Sequence, residues 1–494
     1  MRLLPTLAAL LATTALPAFA QSFLPLDAKP TCAVTLEEFE GWIDLESDDL
    51  VILPPESFIG SFDSECAFYK WGAQMFLWLT SPADAGYIFD STGFFDVAHD
   101  APGSEKIAVV EVRPNGPDLP NIFGLRGDKP DFRGAAGQAG GGGVLLSQAG
   151  SLTYYGMHVN DAYVAFSNAF QADPALLNFT DNTNSQEFQF PSTLEDIERV
   201  VEVGLKTGVI ADDIEAAATA LAAGTLELKT SWVDAETVDA AEHILIQAQV
   251  PGFEREGDTL WPAAPEEFRD LAMVGMHIAG PVVGRPELVW ISYEHLGNTP
   301  MGDYFYTTER DETALVRYDS AGSWIFTEDD AGWPGVMAPN GKITSDGDIG
   351  LDNGAAIEPQ NIVQANPWGL GAGSLDDLTN NTDLISLNAS LIELLAAMDD
   401  PGNPRGNYYQ LGGIWSDGTL PMYQQYDVQR GGLNLANSTM ESFHQFDMQL
   451  AEDNNFHPRN CFDCHNVSGP KGDPENNLGV SVSHIFQGMA PFTP

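Results

Sequence analysis

Positive charge is what this chain has least of. Its 494 residues carry 21 Lys and Arg against 71 Asp and Glu, a formal net charge of −50. Such a surface repels phosphate backbones and anionic lipid, so nucleic acid is excluded as an expected partner. Cysteine is scarce too, at four residues, too few for a disulfide-built fold. Beyond the first 20 residues no apolar run approaches the roughly 18 to 20 residues that span a bilayer, and no membrane insertion is expected. Repeats with a period of about 20 to 50 residues are missing, which disfavours solenoids and propellers. Serine-hydrolase, P-loop and HExxH patterns are missing as well. With 44% hydrophobic residues there is nevertheless ample material for a core, and the acidity reads as a solvated surface rather than disorder.

The chain opens on MRLLPTLAALLATTALPAFA. Arg2 supplies a positive n-region, Leu3 to Leu16 an apolar h-region and Ala18-Phe19-Ala20 an A-x-A cleavage site. Residues 1–20 are therefore expected to be a signal peptide, leaving an exported, periplasmic protein from Gln21 onward.

Near the other end stands NCFDCHNVSG, in which Cys461, Cys464 and His465 spell CxxCH. This is the attachment pattern of a c-type haem: two thiols form thioethers, and the adjacent His is the expected proximal ligand. Export and covalent haem attachment support each other. A zinc site would need further ligands at similar spacing, and no second CxxC exists. Cys32 and Cys66 remain. In an oxidising compartment they are expected to pair, the alternative being two separate buried thiols.

Only 29 residues follow His465, too few to enclose a porphyrin, so upstream chain is expected to build most of the pocket. The sixth iron position decides the chemistry. His484, in VSVSHIF, is the first candidate ligand and His295, in VWISYEHLGNTP, the second; Met489 and Met448 stay open. His277, His295, Glu294 and Lys229 are candidate acids or bases if the distal site is open.

The expected fold class is α+β: a β-rich large domain with antiparallel sheet and several helices over 21–430, then a short haem-bearing segment over 431–494 that packs on it. Capping boxes at Thr35–Glu38, Ser192–Glu195 and Ser438–Glu441 predict helix starts. The last of these predicts a helix to about Leu450, with Met440, His444 and Met448 on one stripe. ECAFYKWGAQMFLWLTSP reads as a helix stopped by Pro82, and residues 192–223 as helical. Strands are expected at KIAVVEVRP, TLELKTSWV, HILIQAQV, LAMVGMHIAG and PELVWISYEH, with a hairpin turning at Gln148–Ser151. Residues 328–383 look loop-dominated. Asp346, Asp348 and Asp352 cluster there. A solvated acidic turn is the default reading and calcium the alternative, since the terminal Glu of an EF-hand loop is lacking.

The ordered series LELKTSWV, VGMHIAG, ELVWISYEHLGNTP, NYYQLGGIW, LANSTMESF and NCFDCH, over roughly residues 225–470, resembles a family of exported bacterial cytochrome c family proteins with one CxxCH close to the C-terminus. The resemblance implies haem c bound at Cys461, Cys464 and His465 and a role in electron transfer. It brings no known substrate. The expectation is a periplasmic monohaem c-type cytochrome passing single electrons, with a redox partner of basic charge. The alternative is a haem enzyme or small-ligand binder with an open distal site.

Overall fold

The computed structural model describes residues 23–445, apart from 48, 84–85, 100–106, 112–120, 123–142, 174–176, 178–187, 335–336, 345, 352, 372, 376–377, 399–402 and 424, and then 460–468, 478–486 and 489. The expected signal peptide lies outside the described residues.

Local signals start the first helices. Thr35 caps α1 (Leu36–Glu40) with both arms of its capping box in place. Ser64 caps α2 (Glu65–Leu79), whose buried side chains include Phe68, Trp71, Met75 and Phe76. The hydroxyls of Thr80 and Ser81 donate to the Phe76 and Leu77 carbonyls and satisfy the end of the helix ahead of Pro82. Strands β1 (Phe94–His99), β2 (Ile107–Glu111), β3 (Asn121–Ile122) and β4 (Tyr154–Asn160) follow. Between β3 and β4 the expected hairpin turn forms, with Ser147 N donating to Ser151 O at 2.8 Å.

The helical stretch after β4 is three helices, α3 (Asp161–Ala172), α4 (Leu194–Thr207) and α5 (Ile214–Ala223). Thr193 rather than Ser192 caps α4, and Gly208 at φ 76° ends it in the left-handed conformation that glycine adopts without strain. The strands then lengthen: β5 (Glu227–Asp234), β6 (Leu245–Phe253), β7 (Ala263–Val282) and β8 (Arg285–His295). A loop-rich region leads to α6 (Leu378–Ala397), β9 (Tyr408–Ser416), β10 (Gln429–Gly431) and the four-residue α7 (Cys461–Cys464).

These ten strands join one sheet, and shorter strands elsewhere form three small sheets of two or three strands. The main path of the large sheet runs β10-β9-β8-β7-β5-β4-β1-β2, with β6 on the first half of β7 and β3 on β6. The pairings are antiparallel except β3 with β6, so the architecture is α+β and β-rich. No described helix is long and apolar enough to cross a membrane.

Alternation along the strands gives the sheet two different faces. On one, Ile291 and Tyr293 of β8 meet α2: Phe76 stacks on Tyr293 with ring centroids 4.0 Å apart. Gly72 sits so close to Ile291 that a Cβ there would fall 2.7 Å from its side chain. On the other face, register places Lys229 beside His277, and His277 beside Ser292. Trp290 and Glu294 share that side of β8. The C-terminal segment covers it. Phe462, Val480, Val482, Ile485, Phe486 and Met489 belong to the same core as the large sheet.

Cys32 and Cys66 are disulfide-bonded, tying the N-terminal segment to the first turn of α2.

One expected helix is not there. Residues 438–445 form turns, and 446–450 lie outside the described residues. The groups meant to cap that helix are engaged by the sheet. Ser438 N and Oγ both donate to Glu294. The Glu441 carboxylate accepts from Asn437 N at 2.8 Å and meets the His277 ring. Tertiary partners thus out-compete a local cap worth about 1 kcal/mol.

Glu287 on β8 offers a test of buried charge in this core. It is fully buried, its Oε1 accepts from Ser416 N and Oγ, and its Oε2 has no partner. Burial pushes its carboxyl up to about 7. A carboxyl raised on folding binds more protons in the native state, so its contribution to stability falls as pH rises from about 4.3 toward 7. Urea unfolding of Glu287→Gln should lose that slope. Relative to wild type the variant should gain on the order of 2 kcal/mol between pH 4.5 and 7.5. Parallel pH profiles would show that Glu287 does not titrate in this window.

Candidate haem-attachment site

The CxxCH segment is fixed by its own polar residues. Asn460 caps α7, accepting from Phe462 N at 2.9 Å, while its amide donates to Gln429 Oε1 and Leu433 O, both at 2.8 Å. Buried Asp463 accepts from Tyr426 Oη at 2.9 Å. Asn466 donates to the Phe462 and Asp463 carbonyls. Cys461 and Cys464 therefore stand one turn apart at the two ends of α7, each a free thiol. Burial pushes the Cys464 thiol up to about 12 and raises Cys461 as well. Thiols held protonated are poor exchange nucleophiles, which argues against a thiol–disulfide redox pair.

His465 is held by its Nδ1, which donates to Val482 O at 2.8 Å. That bond selects the tautomer whose Nε2 keeps its lone pair, the arrangement of a metal-bound imidazole. Burial keeps the ring neutral, holding its pKa well below the usual histidine value. Trp290 from β8 lies against it, with ring centroids 4.3 Å apart.

His484 is brought to the motif, but beside His465 rather than facing its Nε2. The two rings stack 3.9 Å apart and 9° from parallel, and His484 Nε2 donates to Cys464 O at 3.0 Å. His295 is not brought to the motif. Its Nδ1 accepts from Gly297 N at 3.0 Å and its Nε2 donates to Glu242 O at 3.2 Å, leaving neither nitrogen for iron. It stacks on His243, 3.8 Å away, five positions along β8 from Trp290, or roughly 16 Å. Met489 is buried in the tail, while Met448 lies outside the described residues.

Of the four candidate acids and bases, the sheet gathers two. Lys229 and His277 are register neighbours on β5 and β7, and Glu441 reaches them from the turn above. His277 Nε2 lies 3.1 Å from Glu441 Oε2, and Lys229 Nζ 4.0 Å from Oε1. These basic neighbours pull the Glu441 carboxyl down to about 2 against the opposing effect of burial. The cluster lies beside the motif, since the Glu441 carboxylate adds to burial in raising both thiols. Glu294 is apart from it, buried under Ser438 and Gln364.

Glu441, Trp290 and Val482 were not legible as site residues. Glu441 reads as a helix cap and Trp290 as a strand hydrophobe, and Val482 acts through its carbonyl alone. What positions Glu441 is the turn 437–439, clamped to the sheet by Asn437 on Ser292 and Tyr293 O and by Thr439 on Ser231 at 2.7 Å. Gly275 makes the approach feasible, since a Cβ there would fall 2.8 Å from Ser231 Oγ and 2.9 Å from Thr439 Oγ1.

No family model, curated protein or solved structure matches this chain. The site is therefore judged on its donors. Two free thiols one turn apart, followed by an imidazole with Nδ1 tied back and Nε2 kept, fit a covalently held haem. Among the described residues no three His, Cys, Asp or Glu side chains gather as a metal site. In the acidic loop Asp348 accepts from Ala263 N at 2.9 Å, and Asp352 lies outside the described residues.

Proposed function

We propose that this is an exported, periplasmic c-type haem protein with a single haem held by Cys461 and Cys464 and ligated by His465, and that it carries single electrons. The observation that carries the proposal is the His465 Nδ1 bond to Val482 O directly after the two thiols. The haem supplies one-electron chemistry. The chain's own residues do the rest. Val482 orients the imidazole, Trp290 and Phe462 keep water from it, and the sheet beneath supplies a wall that the short tail lacks. The net charge of −50 would steer a basic redox partner toward this surface.

A second reading, a haem protein that binds and transforms a small molecule, is favoured by one observation: the Lys229–Glu441–His277 cluster beside the motif, which a plain carrier does not need. Absorption and EPR spectra of the purified holoprotein, with and without CO, separate the two. A low-spin ferric signal with no CO shift in the ferrous state supports the carrier. High-spin iron that takes up CO supports the second reading. A purified protein with no covalent haem overturns both.

A further inference from the structure

Val482 O fixes the His465 imidazole, and Val482 is itself fixed by what holds its segment. Residues 478–486 form a short strap whose anchors belong to α3 and to residues 188–190. Val480 N donates to Phe188 O at 2.9 Å, and the Gln171 amide donates to Met489 O at 2.6 Å. The Phe486 ring packs among Phe166, Phe170 and Phe190, with centroids 4.8, 5.4 and 5.3 Å away. Gly479 passes so close to this segment that a Cβ would fall 2.6 Å from Phe188 O.

Two strap residues touch the motif: Val482 through its carbonyl and His484 through its ring. Ser483, between them, turns to α3 instead, where its Oγ meets Tyr163 Oη at 2.7 Å. Both hydroxyls hydrogen-bond the Glu227 carboxyl at the start of β5. All three side chains are buried, and Glu227 Oε2 has no partner among the described residues.

Little charge faces that carboxyl. Its register partners are Val159 on β4 and Ala279 on β7, while α3 and the strap present Tyr163 and Ser483. Farther along the same face of β5 and β7 come Lys229 and His277, both beside Glu441. Burial therefore prevails over the two hydroxyl bonds and pushes the Glu227 carboxyl up to about 7.

We infer that Tyr163 is a positioning residue for His465, acting through Ser483, and that the Glu227 proton sets how firmly the pair holds. The assignment rests on reading His465 as a haem ligand. A strap released at Ser483 lets the neighbouring Val482 carbonyl drift from Nδ1. The weaker bond makes the imidazole a poorer donor to iron, which favours the reduced state. An ionised Glu227 accepts more strongly from the hydroxyls and adds a buried negative charge next to the strap, and both effects favour the oxidised state.

The test uses the full-length holoprotein, with covalent haem first verified by its pyridine haemochrome. Midpoint potentials are measured from about pH 5.5 to 8.5, with the ring N–H proton resonance of His465 followed by NMR in parallel. The wild-type potential should fall with rising pH, most steeply around pH 7. Tyr163→Phe should raise the potential and shift the ring resonance. Ser483→Ala should do the same, and replaces the Phe variant if that one fails to fold. Glu227→Gln should keep the haem and lose the step around pH 7. Wild-type potential and resonance in the hydroxyl variant overturn the inference, as does a pH profile that Glu227→Gln leaves unchanged. Haem missing from the haemochrome overturns the haem reading by itself. Nitrogen NMR of histidine-labelled protein then decides the inference: Tyr163→Phe should still loosen the single His465 tautomer, and an unchanged ring spectrum overturns the positioning role.

Discussion

Replacing Cys461 and Cys464 together with alanine should abolish acid-stable haem: after acid–acetone extraction the haem should leave the variant completely and stay with wild type. The two thiols are the only unpaired cysteines of the chain, so no other residue can form the thioethers. Their loop is held by Asn460, Asp463 and Asn466 independently of the sulfurs, so the double variant should keep its β-rich circular dichroism. Each single variant should retain haem through one bond, with a shifted haemochrome band. Acid-stable haem in the double variant would refute attachment at this motif.

Removing the other pair should show as stability rather than as spectrum. Cys32 and Cys66 close a loop with a sequence separation of 34, for which the chain-entropy relation gives a loss of about 3 to 4 kcal/mol. Native contacts add to this. Cys32 is buried, and its N–H donates to Ser386 Oγ on α6 at 2.9 Å, so the bond pins the N-terminal segment between two helices. Urea unfolding of Cys32→Ala/Cys66→Ala should shift to lower midpoint by that amount, and wild type under strong reductant should follow the variant. Unchanged midpoints in both would mean that the crosslink constrains little in the unfolded chain.

The elements that were legible in the sequence are those whose signals are local. Alternating strands such as ELKTSWVD and the buried run of α2 carry their periodicity within a few residues, and both formed close to the expected bounds. The capping boxes illustrate the limit. At Thr35 the Glu38 carboxylate serves the cap through Oε2 and Lys70 through Oε1, and both arms of the box form. At Ser192 the helix starts one residue later, on Thr193. At Ser438 it does not form, because Glu294 and His277, more than 140 residues earlier, offer partners inside the core where an unmade hydrogen bond costs more than a lost cap.

The functional site divides in the same way. The proposed covalent attachment needs Cys461, Cys464 and His465 close together in the chain, so the CxxCH motif was legible from the sequence by itself. The free pair left over pointed to the Cys32–Cys66 bond for a similar reason, by count and compartment. What surrounds the motif depends on strand register. Lys229 and His277 meet because β5 and β7 pair at that offset, and a slip of one residue in either strand would turn its side chain to the other face. Glu441 joins them only because Gly275 lets the turn lie against the sheet. Only the tertiary structure could bring His484 to His465 and keep His295 with His243. Both histidines look alike along the chain, and long-range packing alone decides which nitrogen meets which acceptor.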